Sequence, residues 1–291
     1  MNNPLISIAI PFYNNELTII DAVKSVFAQT YQNWELILID DGSKDGGLGL
    51  VKKINDQRVS IYSDGENKGL VYRLNQVPSL VKGDYLARMD ADDLMDPSRL
   101  EKQIKVLLAD HSIDLVDTGT YSINEIGDPI GIRGLEPIKY DARSVLDNAM
   151  LLHASVMGKK TWFQQNPYDP VYIRAEDREL WLRTYKSSKF ARVGEPLYIV
   201  REGKVNIKNY VTSLKTMRKI IYKYGANILS KNELKAEVAK TYLKILLYKT
   251  FGMLNLQDLL SKRRNVGLSK IDKEKAISTL NKIKGTELPF A

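Results

Sequence analysis

The chain has 291 residues, of which 44% are hydrophobic and 27% charged, so it can bury a core and is not globally disordered. It contains no cysteine, which excludes disulfides and thiolate chemistry. The first residues lack the basic and apolar segments of a secretion signal, and no apolar run reaches about 18 residues. We therefore predict neither secretion nor a transmembrane helix.

The formal net charge of +8 is unevenly divided along the chain: residues 204–291 carry +13 and residues 1–203 carry −5. This asymmetry predicts two parts, an acidic part over 1–205 and a basic helical extension over 206–291. The basic part could meet nucleic acid, anionic lipid or a phosphorylated acceptor.

Short apolar runs alternate with amphipathic stretches over the first 120 residues. The pattern predicts strands at 5–10, 34–39, 58–62 and 85–89, and helices at 16–29, 70–81 and 97–108, with Pro11 ending the first strand. A further helix is predicted near 175–186. Such alternation indicates βαβ units and a mostly parallel sheet flanked by helices. Ligands of such sheets bind at the carboxyl ends of the strands.

Three carboxylates, Asp90, Asp92 and Asp93, follow the apolar strand predicted at 85–89. Unpaired, they would repel one another and raise each other's pKa, and a divalent cation would relieve that repulsion. Mg²⁺ or Mn²⁺ typically takes one or two carboxylates together with substrate phosphate oxygens. The alternative, equally open from this motif alone, is an acidic N-terminus for the following helix.

Two other acidic motifs are weaker taken singly. Asp40 and Asp41 follow the second predicted strand, where a carboxylate could bind a nucleobase or ribose, but Asp-Gly-Ser is also an ordinary turn. Glu176 and Asp177 begin a predicted helix, where one of them could serve as a general base, although for this pair taken alone an acidic first turn is the favoured explanation.

Taken together in order, these motifs resemble the family 2 glycosyltransferases. The similarity lies in SIAIPFYNNE, NWELILIDDGSKDG, ENKGLVYRLNQ, GDYLARMDADD followed by PSRLEKQ, and AEDRELWLR, and it covers about residues 4–201. The resemblance implies a GT-A fold, which is Rossmann-like with a mostly parallel sheet, and an inverting, metal-dependent transfer of a sugar from a nucleotide-sugar donor.

The resemblance also implies that residues 1–205 form the catalytic domain, with the nucleotide-binding half at about 1–95 and the acceptor half at about 96–205. It further implies a role for individual residues. Asp177 would be the general base, and Asp92, with Asp93 as a second ligand, would hold Mn²⁺ or Mg²⁺. The nucleotide-sugar would be bound by Pro11, Tyr13, Asn14, Glu16, Asp40, Asp41, Lys68, Arg73 and Asp90. The acceptor side would include His153, Glu176, Trp181 and Lys204, with Trp181 packing against the site. For His153, a buried structural role is as well supported as a functional one.

The sequence departs from the family pattern at two places. The histidine that many members carry after the last strand of the catalytic domain is absent, and Lys204 stands nearby as a possible substitute charge. The Gln-x-x-Arg-Trp motif of processive synthases is also absent, which favours addition of a single sugar. We expect a UDP-sugar donor, a glycan or lipid-linked acceptor and no nucleic-acid partner. We also expect a cytoplasmic location, and leave open peripheral attachment to the inner membrane face and a homo-oligomer.

Two other classes of protein remain as alternatives. A sugar-nucleotide nucleotidyltransferase would need a Gly-rich, basic phosphate loop after the first strand, and PFYNNELT is not one. A non-enzymatic basic surface-binding module would not need carboxylates at three strand ends. Within the extension, residues 240–264 combine leucines with lysines and arginines, so they either pack against protein or lie on an anionic membrane.

Overall fold

The computed structural model describes residues 3–203, 206–254, 256 and 266–290. The described residues form one nine-stranded sheet with the order β3-β2-β1-β4-β8-β6-β9-β5, and β7 pairs with β6. The strands are β1 (Ile6–Phe12), β2 (Trp34–Asp40), β3 (Val59–Ser63), β4 (Tyr85–Arg88), β5 (Leu94–Met95), β6 (Leu115–Ile123), β7 (Pro129–Arg133), β8 (Met157–Lys159) and β9 (Phe190–Arg201).

The first four strands in this order, β3, β2, β1 and β4, are parallel to one another. Every residue of β1 and β2 is buried. Continuous apolar runs of this kind are typical of parallel strands that helices cover on both faces. The predicted α/β fold with helices flanking the sheet is confirmed, and the carboxyl ends of β1, β2 and β4 meet at one edge.

The expectation that Pro11 ends the first strand is wrong, because β1 continues through Phe12. Pro11 pairs with Ile39 of β2 on one side. On the other side, β4 ends at Arg88 opposite Ala9, so no ladder partner is lost there. Proline is tolerated in strands at such positions, where its missing N–H leaves no bond unmade.

The helices are α1 (Ile19–Phe27), α2 (Gly47–Val51), α3 (Leu70–Leu80), α4 (Arg99–Ala109), α5 (Ala142–Asp147), α6 (Lys160–Gln165), α7 (Glu176–Thr184), α8 (Ile207–Ile220), α9 (Lys231–Met253) and α10 (Lys270–Lys284). In α1 the buried residues recur at helical spacing, as in Ile19, Val23 and Val26. The helices α1 and α4 help to form the core on one face of the sheet. On the other face, α3, α6 and α7 pack around Trp162 and Trp181.

The second half of the sheet is mixed. The short strand β8 lies antiparallel between β4 and β6, and β6 pairs in parallel with β9. The two-residue strand β5 pairs with β9 through Leu94 and Met95. This pairing brings the acidic segment that precedes β5 beside the carboxyl end of β9.

The predicted helical C-terminal region is confirmed, and it lies against the rest of the chain at several places. The helix α8 packs on α9, whereas α10 packs against α1 and β7. Near the end of the chain, Phe290 forms a bridge with Ile54, and the Asn55 N–H donates to the Pro289 carbonyl at 2.6 Å. Within the described residues, no helix is both long and apolar enough to cross a membrane.

Candidate active site

The loop after β1 and the loop after β2 are joined by hydrogen bonds. The Asn14 N–H donates to Ser43 Oγ at 3.0 Å, and Asn14 Oδ1 accepts from the Lys44 N–H at 2.8 Å. The Glu16 carboxylate accepts from the Gly46 N–H at 3.0 Å. Asn14 has a φ of 55°, a left-handed conformation that asparagine tolerates better than most residues. The predicted residues Asn14 and Glu16 therefore hold the two loops together.

Tyr13, a predicted contact residue, lies beside these interlocked loops and is accessible. The ring of Tyr13 is 44% exposed, and it follows Pro11 and Phe12, which are buried at the end of β1. An exposed ring at the carboxyl end of a parallel strand is suitably placed to pack against a planar base.

Asp41 is buried, and protein donors surround its carboxylate. It accepts hydrogen bonds from the Lys68 N–H at 2.8 Å, the Gly69 N–H at 3.0 Å and Arg73 Nε at 2.8 Å. Arg73, only 1% exposed, also pairs with Asp64 at 2.6 Å. The guanidinium of Arg73 therefore fixes the 64–69 loop onto Asp41. Lys68 Nζ contacts Asp64 at 2.9 Å and lies at the surface.

The turn between these groups requires a glycine. Gly42 has a φ of +73°, and a Cβ there would lie 2.7 Å from the backbone carbon of Glu66. Positive φ and this close approach both favour glycine. The 64–69 loop therefore passes directly over the turn that follows β2.

Asp40 is also buried and satisfied from within the protein. It accepts from the Ser43 N–H at 2.9 Å and from Ser63 Oγ at 2.7 Å. Burial raises the pKa of Asp40, but these hydrogen bonds to Ser43 and Ser63 outweigh it, and the net pKa lies below its usual value. Asp40 is thus an ionised structural group that joins β2 to β3.

The acidic cluster after β4 is bordered by a buried arginine. Arg88, whose side chain is 7% exposed, pairs with Asp90 at 2.7 Å. The Arg88 carbonyl accepts from Arg99 Nη2 at 3.0 Å, and the Asp90 N–H donates to the Tyr198 hydroxyl at 3.0 Å. Two arginines and a tyrosine thus fix the strand end that carries Asp90.

Asp92 and Asp93 differ in their surroundings. Asp93 is 4% exposed and accepts from the Arg201 N–H at 2.9 Å. Burial, Asp90 and Asp92 together hold the pKa of Asp93 well above its usual value. Asp92 as a whole residue is exposed to solvent. Its carboxyl group is nevertheless partly desolvated, and this desolvation, together with the charge of Asp90, raises the pKa of Asp92 as well. The three carboxylates are close enough to repel one another.

The carboxylates of Asp92 and Asp93 suit a hard divalent cation whose remaining ligands are oxygens of the substrate. Among residues 3–203, 206–254, 256 and 266–290, no group of three or more His, Cys, Asp or Glu side chains is arranged to hold a metal by itself. Mg²⁺ and Mn²⁺, however, often take one or two carboxylates and several phosphate or water oxygens. Asp92 and Asp93 match that smaller set.

A cleft of about 700 Å³ extends from this cluster towards α7. The predicted site residues that line it are Asp90, Asp93, His153 and Asp177. Arg88 and Arg192 line it as well. The cleft therefore brings the acidic cluster after β4 and the first turn of α7 to one cavity, although 84 residues of sequence separate Asp93 from Asp177.

Asp177 and its neighbour Glu176 stand at the start of α7. Burial raises the pKa of Asp177, against the opposing effects of Arg178 and Arg88. Glu176 is 7% exposed, and its Oε2 has no hydrogen-bond partner. Burial, followed by the charge of Asp177, raises the pKa of Glu176. A carboxylate with a raised pKa is a better proton acceptor, and Asp177 is the one of the pair that lines the cleft.

The remaining residues predicted for the acceptor side are His153, Trp181 and Lys204. His153 is half-buried and shares a hydrogen bond of 2.7 Å with the Tyr168 hydroxyl, and burial and Arg88 hold its pKa well below 6.5, so it is neutral. Trp181 is 1% exposed and packs against Trp162, with ring centroids 6.3 Å apart. Lys204 lies outside the described residues.

Sequence reasoning missed two members of this arrangement. Arg88 was read only as part of an apolar strand, although a charge within such a run is itself a signal. Asp64, which pairs with Arg73 and Lys68, lies in a polar loop that gave no signal at all.

The fold is the GT-A fold found in glycosyltransferases. Among solved structures, the chain is similar to Staphylococcus aureus TarS 1-349 in complex with UDP-GlcNAc, with a TM-score of 0.59 and 16% identity over 81% of this chain and 71% of that one. It is also similar to the mannosyltransferase PcManGT from Pyrobaculum calidifontis in complex with GDP-Man and Mn²⁺. That match has a TM-score of 0.57 and 14% identity over 98% and 87% of the two chains.

The sequence comparisons assign the family. The model for glycosyl transferase family 2 matches residues 7–165. The chain is 30% identical over 193 residues to the Escherichia coli UDP-Glc:alpha-D-GlcNAc-diphosphoundecaprenol beta-1,3-glucosyltransferase WfgD, covering 66% of this chain and 74% of that protein. The protein belongs to glycosyl transferase family 2 and is a glycosyltransferase. Asp177 lies beyond the residues that the family model matches.

Proposed function

We propose that the protein transfers one sugar, with inversion, from a UDP-sugar to a hydroxyl of a glycan or a lipid-linked oligosaccharide. The observation that carries the proposal is that Asp90, Asp93 and Asp177 all line one cleft. Displacement at a sugar carbon needs a charged site for the leaving diphosphate and a base for the acceptor, on opposite sides of that carbon.

In this proposal the donor nucleotide lies over the carboxyl ends of β1 and β2. Tyr13 packs against the base, and the loops fixed by Asn14, Asp40 and Asp41 shape its pocket. Asp92 and Asp93 would hold Mn²⁺ or Mg²⁺, which would supply positive charge for the diphosphate. Arg88 holds Asp90 through the ion pair described above, so that Asp90 can reach the ribose.

Asp177 acts on the acceptor. Its carboxylate takes the proton of the acceptor hydroxyl as that oxygen forms a bond to the anomeric carbon. The bond from that carbon to the diphosphate oxygen breaks, and the electron pair leaves with the nucleoside diphosphate. Attack on the face opposite the leaving group inverts the configuration.

The relatives support the donor and acceptor classes by their names. TarS is described with UDP-GlcNAc, and the name of WfgD specifies a UDP-Glc donor and a diphosphoundecaprenol-linked acceptor. A lipid-linked acceptor is consistent with a peripheral location at the inner face of the membrane.

The test is a donor panel assayed with Mn²⁺ and then with EDTA. We expect slow release of nucleoside diphosphate from one UDP-sugar, and loss of that release in EDTA. Release of pyrophosphate would instead support a nucleotidyltransferase and reject the proposal. Once an acceptor is found, NMR of the product must show the anomeric configuration opposite to that of the donor.

A further inference from the structure

The helix α9 has apolar residues on two opposite faces. One face packs against α8, where Tyr248 stacks on Tyr210 with ring centroids 3.6 Å apart. Thr241 and Tyr248 are the buried residues of the helix. At 100° per residue these two lie on the same side, so the contact with α8 occupies one side of α9 and leaves the other outward.

The outward face is formed by large apolar side chains. Leu243 is 57% exposed, Leu246 60%, Leu247 42%, Met253 80% and Leu254 65%. Leu243, Leu246 and Leu247 have the spacing of one helical stripe, and Leu254 continues it two turns later. No described residue covers this stripe, so the leucines of α9 do not all serve packing within the chain.

Lysines border the stripe on both sides. Lys240 and Lys244 project on one side and Lys249 on the other, given the helical repeat. Between Glu237 and the end of α9 there is no Asp or Glu. An apolar stripe flanked by lysines on both sides is the pattern of a helix lying in a membrane interface, where the lysine ammonium groups reach the phosphates.

We propose that the outward face of α9 docks on an anionic membrane surface. A second copy of the chain fits this face less well, because a two-fold contact would place the same patch against itself. The lysines of the two copies would then face one another. The nearest acids are already engaged: Glu237 pairs with Lys240 at 2.8 Å and with Arg143 at 2.8 Å.

The docking face is connected to the cleft. Arg143 belongs to α5, whose Ser144 lines the cleft, and its ion pair with Glu237 ties α5 to α9. On the other side, α8 is held by hydrogen bonds from Ser213 to the Arg174 carbonyl and from Thr216 to the Ile173 carbonyl, both at 2.8 Å and directly before α7. A membrane bound at α9 would therefore hold the acceptor side of the cleft near the lipid surface.

The test is sedimentation of the full chain with vesicles, without donor or acceptor, so that its outcome does not depend on the proposed function. We expect binding to vesicles containing phosphatidylglycerol at low salt, release at high salt, and no binding to pure phosphatidylcholine. Lys244→Gln with Lys249→Gln should weaken binding roughly 30-fold, since each basic residue contributes about fivefold. Leu243→Ser with Leu246→Ser should weaken it at least about tenfold.

The matched control is Lys273→Gln with Lys275→Gln on α10, which makes the same charge change on a helix that packs against α1 and β7. It should bind within about twofold of the wild type if α9 is the docking element. Thermal unfolding must show that all three variants fold. Equal binding to both kinds of vesicle, no binding, or an equal loss in the α10 variant overturns the proposal. So does a dimer in solution that Leu243→Ser with Leu246→Ser abolishes.

Discussion

At the carboxyl end of β2, the carboxylates of Asp40 and Asp41 receive hydrogen bonds from backbone N–H groups, serines and Arg73. At the start of α7, Glu176 keeps an oxygen without a partner, and burial raises the pKa of Asp177. The first set of charges is satisfied by the protein, whereas the second is incompletely satisfied. Groups satisfied internally build a rigid pocket, and groups left short of partners retain the capacity to react.

The largest effect should come from replacing Asp177, the carboxylate at the start of α7 that lines the cleft. Asp177→Asn keeps the shape and removes the base, so kcat should fall by about 10²–10⁴-fold with nucleotide affinity near normal. The neighbouring Glu176→Gln is the matched control and should cost less than about tenfold, because Glu176 does not line the cleft. Steady-state transfer rates and donor titration measure both. Loss of nucleotide binding in Asp177→Asn, with the fold intact, would refute the assigned role.

The acidic cluster after β4 should give the next effect. Asp92→Ala removes a carboxylate proposed to hold Mn²⁺ or Mg²⁺, and we expect transfer to fall by at least about 10²-fold and the donor to bind more weakly. The exposed Glu125 lies outside the cleft, and Glu125→Ala should leave both quantities unchanged. Donor affinity measured by calorimetry with and without Mn²⁺ separates the cases. If Asp92→Ala bound the donor with an undiminished Mn²⁺ dependence, Asp92 would not be a ligand.

For Asp41 at the end of β2, the effect of losing a partner should appear in the free energy of unfolding. Arg73→Met leaves Asp41 buried without its ion-pair partner, which should reduce the free energy of unfolding by about 3 kcal/mol. Lys68→Met, in the adjoining 64–69 loop, is the matched control, and its loss should be much smaller because its ion pairs are at the surface. Urea denaturation measures both. Similar losses for the two variants would show that the buried Arg73–Asp41 ion pair stabilises the fold no more than the surface ion pairs of Lys68.

The sequence predicts much of this arrangement, and it does so where short-range patterns are decisive. The strands and the polar residues at their ends follow from apolar runs and turn residues, so Asp40, Asp41 and Asp90 were placed correctly at strand ends. Whether β1 continues through Pro11 depends on where the neighbouring strand β4 ends, and that is a feature of the tertiary structure. Pairings over long separations, such as Arg201 with Asp93, have no local signal in the sequence.

The smallest effect should be on the pH dependence of Tm, which should distinguish a carboxylate whose pKa is raised from one whose pKa is lowered. Because burial raises the pKa of Asp177, its ionised form destabilises the folded state, and this cost is present at neutral pH and absent below about 3.8. Asp177→Asn should therefore raise Tm modestly at pH 7, and the difference should vanish in acid. Asp141→Asn is the opposite control, since the hydrogen bonds from Ser144 lower the pKa of Asp141 and no gain is expected. A Tm of Asp177→Asn below that of the wild type at pH 7 would mean that protein groups stabilise the Asp177 carboxylate, as they do those of Asp40 and Asp41.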